Sequence, residues 1–304
     1  MSSITKNAGT WTGIALAVLA TIIWSGNFVI ARAVIHEIPP IALAFFRWLT
    51  ATVCILPLAW NELRREWPVV KKQFPYFLLT GLMGVSLFNT LVYIAGHYSP
   101  AINLALIGTT SSPIMAIILA RIILKEKVTW LRVTGLSICV TGILYLLSKG
   151  SLENLMGLQF SHGDVWVLLG ALAFAIYNIL VRKKPTGISA RAFLFVVFGL
   201  GTLLIFPAWL WENSYSAPIA WNGNLVAVIL YLGLGTSVIS FLCWNEAIAQ
   251  LGAARTALFG NLIPVFSTLE AVWLLQEKIT FFHIISGLMV ITGLAIANLS
   301  TKRK

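Results

Sequence analysis

Residues 224–248 read NLVAVILYLGLGTSVISFLCWNEAI, and this stretch decides the fold class because Glu246 is its only charged side chain. A helix needs about 20 predominantly apolar residues to cross the hydrocarbon core of a bilayer. Backbone amides find no water there, so a spanning segment is either a helix or part of a closed β-barrel. The run is too long and unbroken for the alternating strand of a barrel. It therefore predicts a transmembrane helix.

Apolar runs of this kind recur along the whole chain. The ten predicted helices occupy residues 11–32, 40–60, 74–96, 100–121, 130–148, 164–183, 189–211, 224–248, 253–275 and 282–300. Residues that break helices are expected between them, at Pro39-Pro40, Pro68, Pro75, Pro100, Pro185 with Gly187, Pro218 and Gly252. The pattern predicts an all-α polytopic membrane protein.

The composition agrees with this class and excludes others. Of the 304 residues, 59% are hydrophobic and only 10% are charged, whereas a soluble domain carries about 25% charged residues. A cytosolic enzyme, a disordered chain and a nucleic-acid-binding protein are therefore excluded. Cys54, Cys139 and Cys243 each lie alone in an apolar run, without metal-binding or redox spacing, so we expect no metal and no cofactor. The first apolar run is expected to be a retained helix, not a cleaved signal peptide.

Basic residues predict the orientation of the helices. If both termini are cytoplasmic, all basic residues except Arg32, Arg47, Lys149 and Lys278 fall on the cytoplasmic side, out of 21 in total. The positive-inside rule favours that arrangement. It also explains the formal charge of +11 without a nucleic-acid partner. We expect a multi-pass protein of the bacterial plasma (inner) membrane, with the lipid bilayer and a small-molecule substrate as its partners and with a monomeric or homodimeric state.

The chain repeats itself at a shift of 151 residues. The matched residues include Asn27 with Asn178, Trp60 with Trp211, Gly84 with Gly235, Ser86 with Ser237, Pro113 with Pro264, and Glu126-Lys127 with Glu277-Lys278. The chain is thus predicted to consist of two five-helix repeats, residues 1–150 and 151–304. Because five is odd, the second repeat enters the membrane from the opposite side. Inverted repeats around a central cavity are typical of carriers that work by alternating access.

Two prolines at matched positions mark the expected centre of the molecule. Predicted helix 4 contains Gly108-Thr-Thr-Ser-Ser-Pro113, and predicted helix 9 contains Gly260-Asn-Leu-Ile-Pro264. A proline removes the hydrogen bond to the carbonyl four residues back, which frees the carbonyls of Thr109 and Gly260. We predict Pro113 and Pro264 to be hinges, although such kinks also occur for packing reasons alone.

Polar and aromatic side chains inside the predicted helices are candidates for the substrate site. Polar residues in membrane spans usually face the interior of the bundle, and the strongest stripe is Ser86, Asn89, Tyr93 and His97 on predicted helix 3. Hydrogen bonding between helices is the alternative role. The predicted substrate-binding residues are Trp24, Asn27, Ser86, Asn89, Tyr93, Thr109, Tyr177, Asn178, Ser240, Trp244 and Asn261.

Three of the charged residues in the predicted helices need an explanation: Arg47, Glu246 and Glu270. A lone charge is costly in a membrane interior, so these residues are candidates for ion coupling or for a structural role. We expect a structural pair between Arg47 and Glu270, both in the outer half of the bundle. Glu246 lies near a helix end, where it can reach the interface.

The motifs resemble those of a known family. Trp24-Ser-Gly-Asn-Phe28, Phe45-Phe-Arg47-Trp48, and Pro113 followed by Leu124-Lys-Glu126 resemble an EamA repeat, and Asn261-Leu-Ile-Pro264-Val265 with Gln276-Glu277-Lys278 repeats the pattern. Over nearly its whole length, the chain resembles a ten-helix EamA-type member of the drug/metabolite transporter superfamily. The resemblance implies a central cavity lined by helices 1, 3, 4, 6, 8 and 9, and carriage of amino acids, related metabolites or lipophilic toxicants. Glu246 departs from the expected family pattern and leaves a preference for cations open.

The predicted function is secondary transport, by export or facilitation, of small metabolites such as amino acids or related amphipathic solutes. A lipid flippase and a membrane protein that senses small molecules are the alternatives. A membrane enzyme is disfavoured because the chain lacks His-Glu-x-x-His and Gly-x-Ser-x-Gly motifs. An ATP-driven pump is disfavoured because it lacks a phosphate-binding loop. No catalytic residue is therefore predicted.

Overall fold

The fold was obtained as a computed structural model, which describes residues 2–34, 37–98, 101–157, 162–275 and 281–299. Within these ranges the chain forms ten long helical stretches, numbered α1–α10, and a short helix Leu152–Met156 between α5 and α6. Their bounds are Ser2–Ala33 (α1), Pro40–Lys72 (α2), Phe74–Tyr98 (α3), Ala101–Ile123 (α4), Trp130–Leu147 (α5), His162–Arg182 (α6), Ala190–Tyr215 (α7), Gly223–Leu251 (α8), 253–275 (α9) and Phe281–Asn298 (α10). No strand occurs in the described ranges.

Eight helices in the described part of the chain are long and apolar enough to cross a membrane, and they belong to α1, α2, α3, α5, α6, α7, α8 and α10. The protein is therefore an integral, multi-pass membrane protein. The two other predicted spans are the ones that contain the matched prolines. Helix α4 is a continuous helix of 23 residues, Ala101–Ile123, with Pro113 inside it. The stretch α9 is divided into Ala253–Ala257, the 3₁₀ segment Leu258–Leu262 and the helix Ile263–Leu275.

Helix α2 is longer than the sequence predicted, and this corrects one breaker. It continues beyond residue 60 to Lys72 and contains Pro57 and Pro68. Pro68 was predicted to lie between helices. Its ring removes the hydrogen bond to the carbonyl of Arg64, but both residues are exposed, so a solvent molecule can replace the lost donor. The final turns of α2 project roughly 18 Å beyond residue 60 at 1.5 Å per residue.

The helices pack in pairs that relate the two halves of the chain. Helix α2 packs along α7, and α5 packs along α10. Helix α1 lies against α8 and α9, while α6 lies against α3 and α4. Each of these contacts therefore joins one half of the chain to the other, and α1 and α6 each lie against two helices of the opposite half.

Two glycines bring α5 and α10 into direct backbone contact. A Cβ atom built on Gly135 would lie 2.4 Å from the carbonyl oxygen of Gly293, and one built on Gly293 would lie 2.5 Å from the carbonyl oxygen of Gly135. A Cβ on Gly142 would lie 3.2 Å from the Ser286 carbonyl oxygen. Small residues at such crossings allow close packing in membranes.

Side chains of Ser, Thr and Asn begin several helices, as expected of N-cap residues. Ser189 accepts from the Ala192 N–H at 3.2 Å at the start of α7, and Asn222 accepts from the Leu225 N–H at 2.8 Å at the start of α8. Helix α2 has no such cap, because Pro39 precedes Pro40.

Helices α2 and α7 supply caps to each other. The Glu212 carboxylate, late in α7, accepts from the Ile41 N–H at 3.1 Å and from the Ala42 N–H at 2.7 Å, at the start of α2. At the opposite end, Glu66 of α2 accepts from the Ser189 N–H at 2.8 Å, and Glu62 accepts from the Ser189 hydroxyl at 2.8 Å. Carboxylates at helix N-termini satisfy free N–H groups and interact favourably with the helix dipole. This reciprocal capping joins the two antiparallel helices at both ends.

Candidate functional site

A cavity of about 110 Å³ lies between helices from both halves of the chain. By the measure of roughly 10–15 Å³ for one water molecule, it can hold a small solute. Its wall includes residues from α1, α2, α3, α4, α6, α8 and α9. The wall residues are Trp24, Asn27, Arg47, Phe88, Asn89, Val92, Gly108, Ser112, Pro113, Val167, Ala171, Phe174, Asn178, Phe241, Trp244, Ala257, Gly260 and Ile263.

Five aromatic side chains, Trp24, Phe88, Phe174, Phe241 and Trp244, form what we call the aromatic wall of the cavity. The Trp24 ring lies 4.9 Å from that of Trp244 and 5.6 Å from that of Phe241, while Phe88 stacks on Phe174 at 4.4 Å between ring centroids. Such edge-to-face and offset contacts hold the rings in fixed orientations. The aromatic wall thus presents a preformed apolar surface to a solute.

Arg47 is the one charged residue in the described wall of the cavity, and it is 1% exposed. Its Nε atom donates to the Ser237 hydroxyl at 2.8 Å. Its Nη1 atom lies 2.7 Å from the Tyr93 hydroxyl, 2.9 Å from Asn89 Oδ1 and 3.1 Å from Asn27 Oδ1. One guanidinium therefore ties α1, α2, α3 and α8 together beside the cavity.

The expected ion pair between Arg47 and Glu270 is absent. Ion pairs within 4.0 Å in the described part of the chain join Arg191 with Glu62 and Arg132 with Glu126. Glu270 instead accepts from the Ser25 hydroxyl at 2.6 Å, on another face of α1. Neutral oxygens of Ser237, Asn27, Asn89 and Tyr93 surround the Nε and Nη1 atoms of Arg47 instead. Arg47 is consequently a buried cation surrounded by neutral groups.

Two asparagines in the cavity wall have fixed orientations. Asn89 Oδ1 accepts from Arg47, and Asn178 Oδ1 accepts from Trp244 Nε1 at 2.9 Å. Guanidinium and indole N–H groups are donors only, so each amide must present its oxygen to them. The Nδ2 atoms of Asn89 and Asn178 are buried and have no hydrogen-bond partner among the described residues. Each amide thus retains unused donors.

Segments of π-helix occur at matched positions in α3 and α8, at Leu82–Leu87 and Tyr231–Ile239. Ser237 donates to the Leu232 carbonyl, five residues back, at 2.9 Å. Ser86 lies 3.5 Å from the Gly81 carbonyl, also five residues back, and donates to the Gly201 carbonyl of α7 at 2.9 Å. π-Helical turns are often found at functional sites. Here they widen the helix by one residue per turn directly before Asn89, a wall residue, and before Ser240.

The two prolines have different surroundings. Pro113 lies in the cavity wall inside the continuous helix α4. At Pro264, the preceding 3₁₀ segment gives the Gly260 carbonyl a donor, the N–H of Ile263. The carbonyl predicted to be free at Gly260 is therefore bonded within its own helix. The side chain of Thr109 lies outside the described residues.

The structure brings some of the predicted substrate-binding residues together at the cavity and places others behind its wall. Trp24, Asn27, Asn89, Asn178 and Trp244 lie in the wall. Several others lie outside it, where they bond to other helices or to their own: Ser86, Tyr93, Tyr177, Ser240 and Asn261.

Tyr177 is representative of the second group. It is fully buried, and its hydroxyl donates to Asn245 Oδ1 at 2.8 Å. Glu246 lies at an exposed position and accepts from Gln250 at 2.7 Å. Sequence reasoning missed the wall residues Phe88, Phe174 and Phe241, because phenylalanine is too common in this chain to mark a site.

The same family model matches both halves of the chain. It is described as the EamA-like transporter family, and it matches residues 11–148 and 161–299. The chain is 30% identical over 285 residues to "Uncharacterized transporter YyaM" of Bacillus subtilis (strain 168), covering 91% of this chain and 90% of that protein. An "Uncharacterized transporter" of Archaeoglobus fulgidus is 26% identical over 91% of this chain and 94% of its own length.

Two further comparisons extend these findings. The "Probable terminal-alkyne amino-acid exporter" of Streptantibioticus cattleyicolor is 25% identical, over 93% of this chain and 92% of that protein. A solved crystal structure aligns with a TM-score of 0.75 over 96% of both chains at 19% identity. At that identity, the structural match shows that the fold is shared.

Proposed function

The chain belongs to the EamA-like transporter family, and from this membership we propose that it is a secondary carrier that moves small amphipathic metabolites by alternating access. The observation that carries the proposal is the cavity at the interface of the two halves, with an aromatic wall and a buried cation. Its relatives are named transporters, which agrees with the expectation that the protein is not an enzyme.

The proposed carrier has ten spans arranged as two inverted five-helix repeats. The double match to one family model supports the duplication. Hydrogen bonds at positions 151 residues apart support it too: Tyr93 lies 3.5 Å from Asn27, and Trp244 donates to Asn178 at 2.9 Å. Helices α4 and α9 complete the ten, each entering the cavity wall near its proline or its 3₁₀ segment.

In the proposed orientation, both termini face the cytoplasm of a bacterial cell and the carrier lies in the inner membrane. The excess of basic residues at the ends of α2, α4 and α6 supports this. Lys125 and Lys149, both exposed and both with positive φ, lie at opposite ends of α5 and form a matched pair for labelling.

Lys149→Cys, in a chain from which Cys54, Cys139 and Cys243 have been removed, should react with a membrane-impermeant maleimide in intact cells. Lys125→Cys should react only after the membrane is permeabilised, because the bilayer separates it from the reagent. The measurement is the fraction labelled under the two conditions. The reverse pattern would show that the termini are external.

Alternating access in this carrier is a movement of helices that share the cavity. Pro113 of α4 and the 3₁₀ segment Leu258–Leu262 of α9 are the proposed bending points, since both interrupt the regular hydrogen bonding of a helix. Helices α1 and α6, each packed against the opposite half, transmit the movement. Exchange of the two half conformations opens the cavity to one side of the membrane and then to the other.

The proposed solutes are amino acids or related small molecules that combine an apolar part with polar groups. The composition of the cavity wall supports this class, because an aromatic wall lies next to Arg47 and three asparagines. The name of the Streptantibioticus cattleyicolor relative, an amino-acid exporter, points the same way.

Counterflow in proteoliposomes tests the carrier function. Vesicles preloaded with an unlabelled amino-acid mixture should take up radiolabelled solute in a saturable manner, whereas protein-free vesicles should not. Asn89→Ala combined with Tyr93→Ala should slow this uptake at least about tenfold, because both side chains bond Arg47 beside the cavity. If correctly folded protein shows no saturable exchange with any solute in the mixture, the carrier proposal is wrong.

A further inference from the structure

We propose that the cavity holds its solute by a carboxylate group, bound by Arg47, Asn89 and Asn178, with the apolar part of the solute against the aromatic wall. This inference rests on the proposed carrier function and adds to it the chemical group that is recognised and the residues that recognise it.

The first argument is that Arg47 has no carboxylate in direct contact with it in the part of the chain that the structure describes. Arg47 is 1% exposed, and among the described residues no carboxylate lies within 4.0 Å of it. Removing a charge from water without an opposite charge nearby is costly. The described cavity wall contains no Asp or Glu. A solute that carries a negative charge supplies the missing counter-charge, whereas a cationic solute adds to the imbalance.

The second argument is the chemical character of the unsatisfied polar atoms in two residues of the cavity wall. Asn89 and Asn178 are 3% and 0% exposed, and the Nδ2 atom of each is without a partner. Their oxygens cannot be exchanged for these nitrogens by a flip of the amide, because Arg47 and Trp244 are donors only. The unsatisfied polar atoms of these two wall residues are therefore donors, and donors match the acceptor-only oxygens of an ionised carboxylate.

Arg47 itself has remaining donor capacity. A guanidinium carries five N–H groups. The Nη2 atom of Arg47 has a single contact among the described residues, the Thr236 carbonyl oxygen at 3.4 Å. That bond is long. Nη2 can therefore form a charge-assisted bond to a solute with less loss of existing hydrogen bonding than Nε or Nη1.

Matched probes on one carbon frame test the charge preference. We would titrate detergent-purified protein with 3-phenylpropanoate, 3-phenylpropanamide and 3-phenylpropylamine by calorimetry at neutral pH. The phenyl group suits the aromatic wall in all three, so that the charge of the terminal group is the difference. The carboxylate should bind at least about tenfold more tightly than the amide, as charge-assisted bonds are stronger than neutral ones. Equal or tighter binding of the amine overturns the proposal.

Substitution of one donor locates the site. Asn178→Asp retains the size of the side chain and the oxygen that accepts from Trp244, but replaces the unused N–H donors with a carboxylate oxygen. It should weaken binding of 3-phenylpropanoate at least about tenfold and weaken the amide far less. Asn245→Asp is the matched control. Its oxygen is likewise held by a donor, Tyr177, and its Nδ2 is likewise without a partner, but it lies outside the cavity wall.

Three outcomes decide the proposal. If Asn245→Asp weakens the carboxylate as much as Asn178→Asp does, the effect comes from added charge at any nearby position and the proposed contact is wrong. Competition with hexadecanoate tests whether the carboxylate belongs to a soluble molecule or to a lipid acid. If hexadecanoate occupies the site at lower concentrations than 3-phenylpropanoate does, the assignment to a soluble molecule is wrong. If the protein shows saturable counterflow but binds all three probes with equal affinity, the carrier function is supported and the proposed carboxylate site is wrong.

Discussion

An Arg47→Met variant is expected to lose carboxylate-solute exchange by about 100-fold while still binding an uncharged aromatic solute. Methionine fills much of the same volume in an apolar environment but removes the only cation of the described cavity wall. A hydrogen bond to a charged group contributes about 1.5–3 kcal/mol, and 100-fold corresponds to about 2.7 kcal/mol. The measurement is counterflow rate in proteoliposomes, together with calorimetric binding of 3-phenylpropanamide.

Arg47→Lys separates charge from geometry in the same experiment. Lysine keeps the positive charge, but its single ammonium cannot reproduce the contacts of Nε and Nη1 with Ser237, Asn27 and Asn89. We expect intermediate exchange. If Arg47→Met instead lowers the affinity for the carboxylate and the neutral amide equally, Arg47 only ties the helices together and does not recognise charge.

Gly135→Ala is expected to cause a large loss of stability. The added methyl group would lie 2.4 Å from the Gly293 carbonyl oxygen, 2.6 Å from Ala297 Cβ and 2.7 Å from the Ala297 nitrogen. Backbone atoms of α10 cannot rotate away as a flexible side chain can, so the two helices must separate. Overpacking of this kind costs typically 1–3 kcal/mol, and we expect a value of about 3 kcal/mol.

Thermal denaturation followed by tryptophan fluorescence measures this effect. Gly223→Ala is the control, since a Cβ at that position meets no atom within 4 Å. It should leave the melting temperature unchanged or raise it slightly, because alanine is the better helix former. A Gly135→Ala protein as stable as the Gly223→Ala control would mean that α5 and α10 are not in contact at these glycines.

The positions of the helices could be predicted from the sequence because the cost of burying backbone amides in lipid leaves few alternatives. The extension of α2 to Lys72 could not be predicted in the same way, because Pro68 is ordinarily a helix-breaking residue. Helix α2 continues through Pro68 because Pro68 and Arg64 are exposed, so the freed Arg64 carbonyl reaches solvent. The same limitation applies to the 3₁₀ segment before Pro264, which binds the Gly260 carbonyl internally.

The candidate site could be predicted in part, through its polar residues. Asn27, Asn89 and Asn178 stood out because amides are uncommon in apolar spans, and all three line the cavity. The partner of Arg47 was expected to be Glu270 on grounds of opposite charge and of similar depth in the outer half of the bundle. Neutral amide and hydroxyl oxygens surround the buried charge of Arg47 instead. This arrangement depends on side-chain positions that spacing along the chain does not specify.

The reciprocal capping of α2 and α7 restricts how the bundle can change shape. Sliding α2 along α7 by one helical turn, 5.4 Å, would break the bonds of Glu212 at one end and those of Glu62 and Glu66 at the other simultaneously. Sliding of these two helices along each other is therefore disfavoured, and we expect them to move as one unit. Arg47 belongs to α2, so in the proposed alternating access a solute bound to Arg47 is held by a helix that keeps its position relative to α7.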